Sequence, residues 1–180
     1  MNKTIIISAP SGAGKNSVVN GLLKSVPNLV YSISATTRPK RPDEVNGEDY
    51  YFISNEDFKF NIDNNNFVEY QQVYEGVYYG TLKSELDSKL KVSSVIFVLD
   101  VKGALNLKNK LPNSILIFIN PPSIKDLEKR LILRGSEAED KIQERLTKAQ
   151  YELSFKDGFD FIVTNDNLEL TIDICKFLIS

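Results

Sequence analysis

The sequence contains no histidine and only one cysteine among its 180 residues. Without histidine, the chain cannot build a Ser-His or Cys-His nucleophile or a histidine-ligated zinc site, and one thiol cannot complete a thiolate metal cage. The one cysteine, Cys175, cannot form an internal disulfide, and its apolar neighbours predict a packed, buried side chain. Any catalysis must therefore rest on carboxylates, lysine, arginine, hydroxyls, backbone N–H groups and a bound cation.

A strong charge of one sign and long apolar runs are also missing. The net charge of −2 gives no reason to expect nucleic acid or an anionic membrane as a partner. No apolar run approaches the roughly 20 residues that span a bilayer, and the N-terminal segment predicts a strand rather than a signal peptide. The composition, 42% hydrophobic and 26% charged, is typical of one globular domain, and a cytoplasmic location is expected.

Apolar runs alternate with helical patterns along the chain. Runs typical of buried strands cover residues 4–8, 93–99, 114–119 and 161–163, with a weaker one near 30–34. Helical patterns cover residues 15–23, 101–110, 124–133, 140–156 and 168–178. Continuous runs such as VIFVL and ILIFI suit strands that are covered on both faces, so the alternation predicts a doubly wound α/β fold with a parallel sheet between helices.

Two segments interrupt this alternation. Residues 35–80 carry clustered aromatic residues, two prolines and the turn pair Asn46-Gly47, which predicts a small insertion with hairpin character. Residues 134–140, RGSEAED, are polar and lie between two helical patterns, so a mobile tip is expected there. Just before it, Ser123 followed by Asp126 predicts a capped helix start.

Residues 8–17, SAPSGAGKNS, lie between the first apolar run and the first helical pattern. The segment approaches the phosphate-binding pattern G-x-x-x-x-G-K-[ST]. Gly12 and Gly14 permit close approach of the backbone to phosphate oxygens, and Lys15 supplies a positive charge for the β- and γ-phosphates. The alternative interpretation is a plain strand-to-helix turn of small residues.

The loop departs from the pattern at two positions. Ala9 replaces the first glycine, which is a mild change, and Asn16 replaces the hydroxyl residue that binds Mg²⁺ in many such loops. The Asn16 carbonyl is a weaker candidate ligand, and Ser17 is a candidate phosphate contact. Otherwise Mg²⁺ would be held by phosphates, water and a distant carboxylate.

The chain has seventeen lysines but only five arginines. Arg38 and Arg41 lie in TTRPKRP, and Arg130, Arg134 and Arg145 flank the polar tip. Surface ion pairing, such as Arg130 with Asp126, is the alternative interpretation. Because only arginine offers a rigid, always charged fork that matches phosphate, the two clusters favour two groups of side chains that close on polyanions.

Several motifs together resemble the guanylate kinases over about 170 residues. They are SAPSGAGK, SISATTRPKRPDEVNGEDYYF, FVEY, YYGT, LDVKGA, NPPS, RLILRG, ERLTKAQYE and VTNDN. The resemblance implies a P-loop NTPase-type α/β fold and the reaction ATP + GMP ⇌ ADP + GDP with Mg²⁺ as cofactor. It also implies one domain over 1–180, divided into a core (1–33, 85–125 and 149–180), an inserted GMP-binding region (34–84) and a helical lid (126–148).

The resemblance also implies roles for individual residues. The implied ATP-binding residues are Ala9, Pro10, Ser11, Gly12, Ala13, Gly14, Lys15, Asn16, Ser17, Asn165 and Asp166. The implied GMP-binding residues are Ser34, Glu69, Thr81 and Asp100 for the base, and Arg38, Arg41, Tyr50 and Tyr79 for the phosphate. The implied catalytic residues are Lys15, Arg38, Arg130, Arg134 and Arg145; the implied metal contacts are Asn16, weakly, and Asp100 through water.

The chemistry of the acidic residues agrees with that implication. Guanine differs from adenine by a ring N–H and an exocyclic amine, so carboxylate acceptors such as Glu69 and Asp100 would discriminate between them. One departure is Val98-Leu99-Asp100, where many family members carry Asp-Ile-Asp. Two alternatives remain: a non-catalytic guanylate-kinase-like module that binds proteins, and a kinase for a ribose phosphate.

Overall fold

The computed structural model describes residues 2–133 and 139–180. Its strands are β1 (Thr4–Ser8), β2 (Leu29–Tyr31), β3 (Ala35–Thr36), β4 (Tyr51–Phe52), β5 (Phe67–Tyr74), β6 (Val77–Leu82), β7 (Ser94–Val98), β8 (Ile115–Asn120) and β9 (Phe161–Thr164). Its helices are α1 (Lys15–Ser25), α2 (Asn55–Asp63), α3 (Lys83–Leu90), α4 (Val101–Lys110), α5 (Ile124–Leu133), α6 (Glu139–Leu153) and α7 (Leu168–Ile179). None of the helices within these ranges is long and apolar enough to cross a membrane.

Five parallel strands form the central sheet in the order β2-β7-β1-β8-β9. Alternate residues of β1 face opposite sides, because side chains in a strand have a period of two. Ile5 and Ile7 pack into a core with α1, α5, α6 and α7, whereas Ile6 packs into a second core with α3 and α4. The sheet is therefore covered on both faces, which confirms the predicted α/β fold.

A second sheet has the order β4-β3-β6-β5 and lies in the segment predicted as an insertion. Strands β5 and β6 pair antiparallel and turn at Gly76, whose φ is +71°, so the predicted hairpin is confirmed. Strand β3 pairs parallel with β4 and antiparallel with β6. Phe58 stacks between Phe67 and Tyr78, with ring centroids 4.3 and 5.3 Å away, and gives this sheet an aromatic core of its own.

The structure corrects several predicted elements. Helices α2 and α3 were not predicted, although Ser54 caps α2 by accepting a hydrogen bond from the backbone N–H of Asp57 at 2.9 Å. The helix predicted at 140–156 runs from Glu139 to Leu153, and the strand predicted near 30–34 is Leu29–Tyr31. The mobile tip predicted at 134–140 falls mostly on residues 134–138, which lie outside the described residues.

Two local predictions are confirmed. Ser123 accepts a hydrogen bond from the backbone N–H of Asp126 at 3.0 Å just where α5 begins, as its spacing to that aspartate predicted. Cys175 is fully buried in the core between α7 and the central sheet, as its apolar neighbours predicted.

Candidate active site

The loop between β1 and α1 lies at the carboxyl end of the central strand, where ligands of open α/β sheets bind. Gly12 and Gly14 have φ values of +88° and +92°, in the left-handed region that favours glycine. A Cβ on Gly14 would lie 2.3 Å from Nδ2 of Asn165. A larger residue at position 14 would therefore collide with the Asn165 side chain, so this backbone path requires glycine there.

Two distant residues anchor this loop from behind. The Asn165 side chain donates from Nδ2 to the carbonyl of Ala13 at 2.8 Å, and Arg130 donates from Nη2 to the carbonyl of Asn165 at 2.8 Å. Asn165 is buried and also accepts a hydrogen bond from Thr171 at 3.2 Å. Asn165 was predicted to bind ATP and Arg130 to act in catalysis; here they hold the loop, and those two roles stay predictions.

The loop opens on a cavity of about 330 Å³, called the loop cavity below. Its lining residues are Ala9, Pro10, Ser11, Gly12, Gly14, Lys15, Asn16, Ser17, Asp100, Lys148 and Glu152. The structure thus brings together nearly all the predicted loop residues, while Ala13 is fully buried beneath them. Sequence reasoning missed Lys148 and Glu152, although their four-residue spacing places both on one face of α6.

Lys15 begins α1 and is largely enclosed by the cavity wall. Its Nζ donates a hydrogen bond to the carbonyl of Leu99 at 3.2 Å, at the carboxyl end of β7. Burial lowers the pKa of the Lys15 ammonium, and the carboxylates of Glu152 and Asp100 partly oppose that shift. The ammonium is therefore held in a poorly hydrated position in which a polyanion would be a strong partner.

A second and larger opening, called the wide cavity below, has a volume of about 780 Å³. It is lined by six of the eight residues predicted to bind GMP, namely Ser34, Arg41, Tyr50, Glu69, Tyr79 and Asp100. Asp100 lines the loop cavity as well, so the two cavities meet at the end of β7. Its Oδ1 accepts the backbone N–H of Gly103 at 2.7 Å and caps α4, which fixes the carboxylate at that meeting point.

Glu69 and Thr81 face each other across strands β5 and β6. The Thr81 hydroxyl donates to Oε1 of Glu69 at 2.9 Å, and both residues are buried. Burial raises the pKa of the Glu69 carboxyl, while the hydrogen bond from Thr81 lowers it in part. The pair presents a buried acceptor to the wide cavity, as the discrimination of guanine from adenine requires.

Arg38 is held in a network of its own. Its guanidinium pairs with both carboxylate oxygens of Glu44, donates from Nε to the Tyr79 hydroxyl at 3.1 Å, and stacks 4.9 Å from the Tyr50 ring centroid. Arg38 lowers the pKa of Glu44 to about 2. Glu44 also accepts the backbone N–H of Arg41 at 2.8 Å, so one carboxylate organises both arginines. Sequence reasoning missed Glu44, and the phosphate contact of Arg38 stays a prediction.

The remaining predicted residues lie around the loop. Arg145 approaches the Ser11 hydroxyl from α6 at 3.5 Å, and Asp166 lines a third cavity, of about 340 Å³, with Gly12, Ser17 and Arg130. Arg134 lies outside the described residues. Asn16 and Asp100, the predicted metal contacts, line the same loop cavity. Over the described ranges no cluster of three or more acidic, histidine or cysteine residues could hold a metal ion.

Comparison with known proteins agrees with this geometry. The family model for guanylate kinase matches residues 1–180. A guanylate kinase of Bacteroides thetaiotaomicron is 46% identical over 180 residues, covering 97% of this chain and 88% of that protein; one of Thermotoga maritima is 44% identical over 170 residues, covering 94% and 82%. The crystal structure of guanylate kinase from Anaplasma phagocytophilum superposes with a TM-score of 0.73 at 29% identity, covering 98% of this chain and 84% of that one. The chain therefore belongs to the guanylate kinase family, the enzymes that transfer a phosphoryl group from ATP to GMP.

Proposed function

We propose that the loop cavity holds the phosphates of ATP and the wide cavity holds GMP, so that the two substrates meet beside Asp100. The observation that carries this assignment is that Asp100 lines both cavities, one walled by a glycine-containing loop and the other containing the buried carboxylate of Glu69. Because phosphoryl transfer depends mainly on positioning and charge stabilisation, two adjoining cavities of this kind provide what the reaction needs.

On the ATP side, the backbone N–H groups of residues 12–17 and the Lys15 ammonium would bind the β- and γ-phosphates. Asn165 and Arg130 would keep the loop in its binding shape, as their hydrogen bonds behind it support. The third cavity, next to Asp166, is the place for the adenine ring. Arg130, Arg134 and Arg145 would neutralise the charge that develops during transfer.

On the GMP side, Glu69 and Asp100 would accept hydrogen bonds from the guanine base, with Ser34 and Thr81 completing the set. Arg41, Tyr50 and Tyr79 all line the wide cavity and would hold the GMP phosphate. Arg38 would join them from its pairing with Glu44. The same base contacts would accept dGMP, because none of the predicted contacts is to the ribose 2′-hydroxyl.

In the proposed reaction, an oxygen of the GMP phosphate attacks the γ-phosphorus of ATP. The bond between that oxygen and the phosphorus forms as the bond between the γ-phosphorus and the β,γ-bridging oxygen breaks, and the electron pair of the broken bond stays on ADP. The attacking oxygen already carries negative charge, so no general base has to remove a proton. A chain without histidine can therefore perform this step.

We also propose Mg²⁺ as the cofactor that enters with ATP. Asn16 and Asp100 share the loop cavity, and Mg²⁺ sites commonly combine one or two protein oxygens with water and phosphates. The amide oxygen of Asn16 and the carboxylate of Asp100, the latter through water, would hold the ion. When bound, Mg²⁺ would neutralise charge on the β- and γ-phosphates.

The division of the chain follows from this assignment. Residues 1–33, 85–125 and 149–180 would form the core, residues 34–84 the GMP-binding region and residues 126–148 the lid. The separate sheet and aromatic core within 34–84 support its movement as a unit. The single, buried cysteine supports the proposed cytoplasmic location, because the chain needs no oxidising compartment.

The test is ADP formation from MgATP with GMP, dGMP, AMP or UMP as acceptor. We expect strong turnover with GMP and dGMP and little with AMP or UMP, because only guanine offers both donors to the carboxylates of Glu69 and Asp100. GMP binding without turnover would favour the non-catalytic module instead. Turnover with a ribose phosphate in place of GMP would favour the third alternative.

A further inference from the structure

Helix α6 places a second lysine on the wall of the loop cavity. Lys148 lines that cavity together with Lys15 and Asp100. Its side chain makes no hydrogen bond or ion pair with any residue in the described part of the chain, and it is exposed. An exposed ammonium on the cavity wall that forms no ion pair with the described residues is available to a ligand.

Glu152 lies one turn after Lys148 on α6, and both residues line the loop cavity. Glu152 is 8% exposed, and its Oε2 has no hydrogen-bond partner. Burial raises the pKa of Glu152, and among the nearby cations Lys148 opposes that shift more than Lys15 does. The Glu152 carboxylate also accepts the backbone N–H of Ser11, so only its other oxygen lacks a partner, and its negative charge attracts the Lys148 ammonium toward the cavity.

The balance of charge on the wall of the loop cavity also favours a role for Lys148 in binding an anion. Its ionisable residues are two cations, Lys15 and Lys148, and two acids, Asp100 and Glu152. Among these lining residues, the acids would outnumber the cations without Lys148. Lys148 also partly lowers the pKa of Lys15, as expected for two like charges that face one region.

We propose that Lys148 binds the triphosphate of ATP as a second lysine beside Lys15. This inference rests on the proposed assignment of ATP to the loop cavity. Lys148 supplies from α6 a positive charge on the wall of the same cavity that the loop lines. It adds a charge-assisted contact in a chain whose loop carries an amide at position 16 instead of a hydroxyl.

The experiment is calorimetric titration of the full chain with ATP, ADP and AMP, each with Mg²⁺ and without GMP. In Lys148→Gln we expect the dissociation constant of ATP to rise roughly tenfold, which is the usual size of a lost charge-assisted contact. The constant for AMP should change by less than about twofold, because AMP lacks the β- and γ-phosphates. Lys148→Arg should retain most of the ATP affinity, since it keeps the charge.

Lys125→Gln is the matched control, because Lys125 is exposed on α5 and does not line the loop cavity. Equal ATP affinity in wild type and Lys148→Gln would overturn the inference, and so would an equal loss in Lys125→Gln. Turnover of wild type with GMP tests the proposed function separately. A wild type that turns over GMP while Lys148→Gln binds ATP normally leaves the function intact and rejects the role of Lys148.

Discussion

The loop cavity and the wide cavity are built from different parts of the chain. The loop cavity is made mostly of backbone and small residues on the central sheet, with glycine where the chain has a positive φ. The wide cavity is made mostly of long polar side chains, and some of them bond to side chains just outside it, as Glu69 does to Thr81 and Tyr79 to Arg38. One site depends on the path of the main chain and the other on the orientation of side chains.

This difference separates affinity from selectivity. Backbone N–H groups recognise phosphate whatever nucleoside carries it, so under the proposed assignment the loop cavity would contribute binding and rate. A buried side-chain acceptor favours only the ligand that satisfies it, so the wide cavity would decide which base is accepted. Substitutions in the two regions should therefore change different kinetic constants.

The largest effect is expected at the loop cavity. Replacing Lys15 with methionine removes the enclosed ammonium and should lower kcat at least about 10³-fold, as the loss of a preorganised charge on a transferred phosphoryl group does. Steady-state ADP formation measures it. The control is Lys24→Met, an exposed position in the last turn of the same helix. A Lys15→Met enzyme with near-normal kcat would show that the backbone alone carries transfer.

The wide cavity is tested by Glu69→Gln. An amide in place of the carboxylate weakens the acceptor for the guanine donors, so kcat/KM for GMP should fall about 10²-fold. The KM for ATP should stay the same, and Glu56→Gln, exposed on α2, serves as control. Unchanged kinetics with GMP would remove Glu69 from base recognition. A rise in KM for both substrates would show that the loop cavity and the wide cavity do not act independently.

The same substitution should make the protein more stable. Because folding raises the pKa of Glu69, the folded protein binds this proton more tightly than the unfolded chain, and the carboxyl costs stability as the pH rises above its ordinary pKa. Glutamine keeps the shape without the charge, so the free energy of unfolding near neutral pH should rise by about 1 kcal/mol. Urea denaturation measures it. A less stable Glu69→Gln protein would contradict the assigned cost of burial.

A smaller effect is expected at Glu44, the carboxylate that bonds to both Arg38 and Arg41. Glu44→Gln loosens Arg38 and Arg41 and should raise the KM for GMP about fivefold, with kcat for saturating GMP little changed. Asp43→Asn, its exposed neighbour, is the control. A lower KM in Glu44→Gln would show instead that Glu44 competes with the GMP phosphate for the arginine.

The pairing of Glu44 also has a signature in pH. Because Arg38 lowers the Glu44 pKa to about 2, the stability from this pair is present above the ordinary carboxyl pKa and is lost as the pH falls toward 2. Part of the tyrosine fluorescence reports this region, since Tyr50 and Tyr79 both contact Arg38. We expect a change of that signal in wild type as the pH falls toward 2 and none from this pair in Glu44→Gln, which has no carboxyl to protonate at position 44.

The smallest effect is expected at Asn16, where the loop departs from the common pattern. Asn16→Ser supplies a hydroxyl that binds Mg²⁺ better than an amide, so the Mg²⁺ concentration for half-maximal rate should fall about threefold. The KM for GMP should be unaffected and serves as the internal control. No change in the Mg²⁺ requirement would mean that the phosphates and water hold the ion alone.

The sequence predicted the central sheet well, because its inner strands β7, β1 and β8 are apolar runs that are covered on both faces. It predicted the inserted region less well. Helix α2 is short and has only one fully buried side chain, Phe58, so its apolar periodicity is weak. The readable signal was local, the serine at position 54 followed three residues later by aspartate.

The identity of the site residues could be predicted from motifs, but their pairing could not. The loop motif predicts Lys15 as a site residue, but it does not show that Asn165, 152 residues after Ala13, donates a hydrogen bond to the Ala13 carbonyl. The TTRPKRP motif predicts Arg38 as a site residue, but it does not show that the Arg38 guanidinium pairs with Glu44. Such contacts depend on where the fold brings separate segments, and one sequence carries no direct record of that placement.

The bond between Asn165 and Ala13 has a consequence for how the protein is made. The phosphate loop is encoded near the start of the chain, but the amide that fixes it follows the last strand of the sheet. During synthesis, which proceeds from the N-terminus, the loop leaves the ribosome long before its anchor does. A nascent chain that has not yet reached Asn165 therefore has the loop motif without the hydrogen bond that holds it, and the loop gains this support only 152 residues after Ala13.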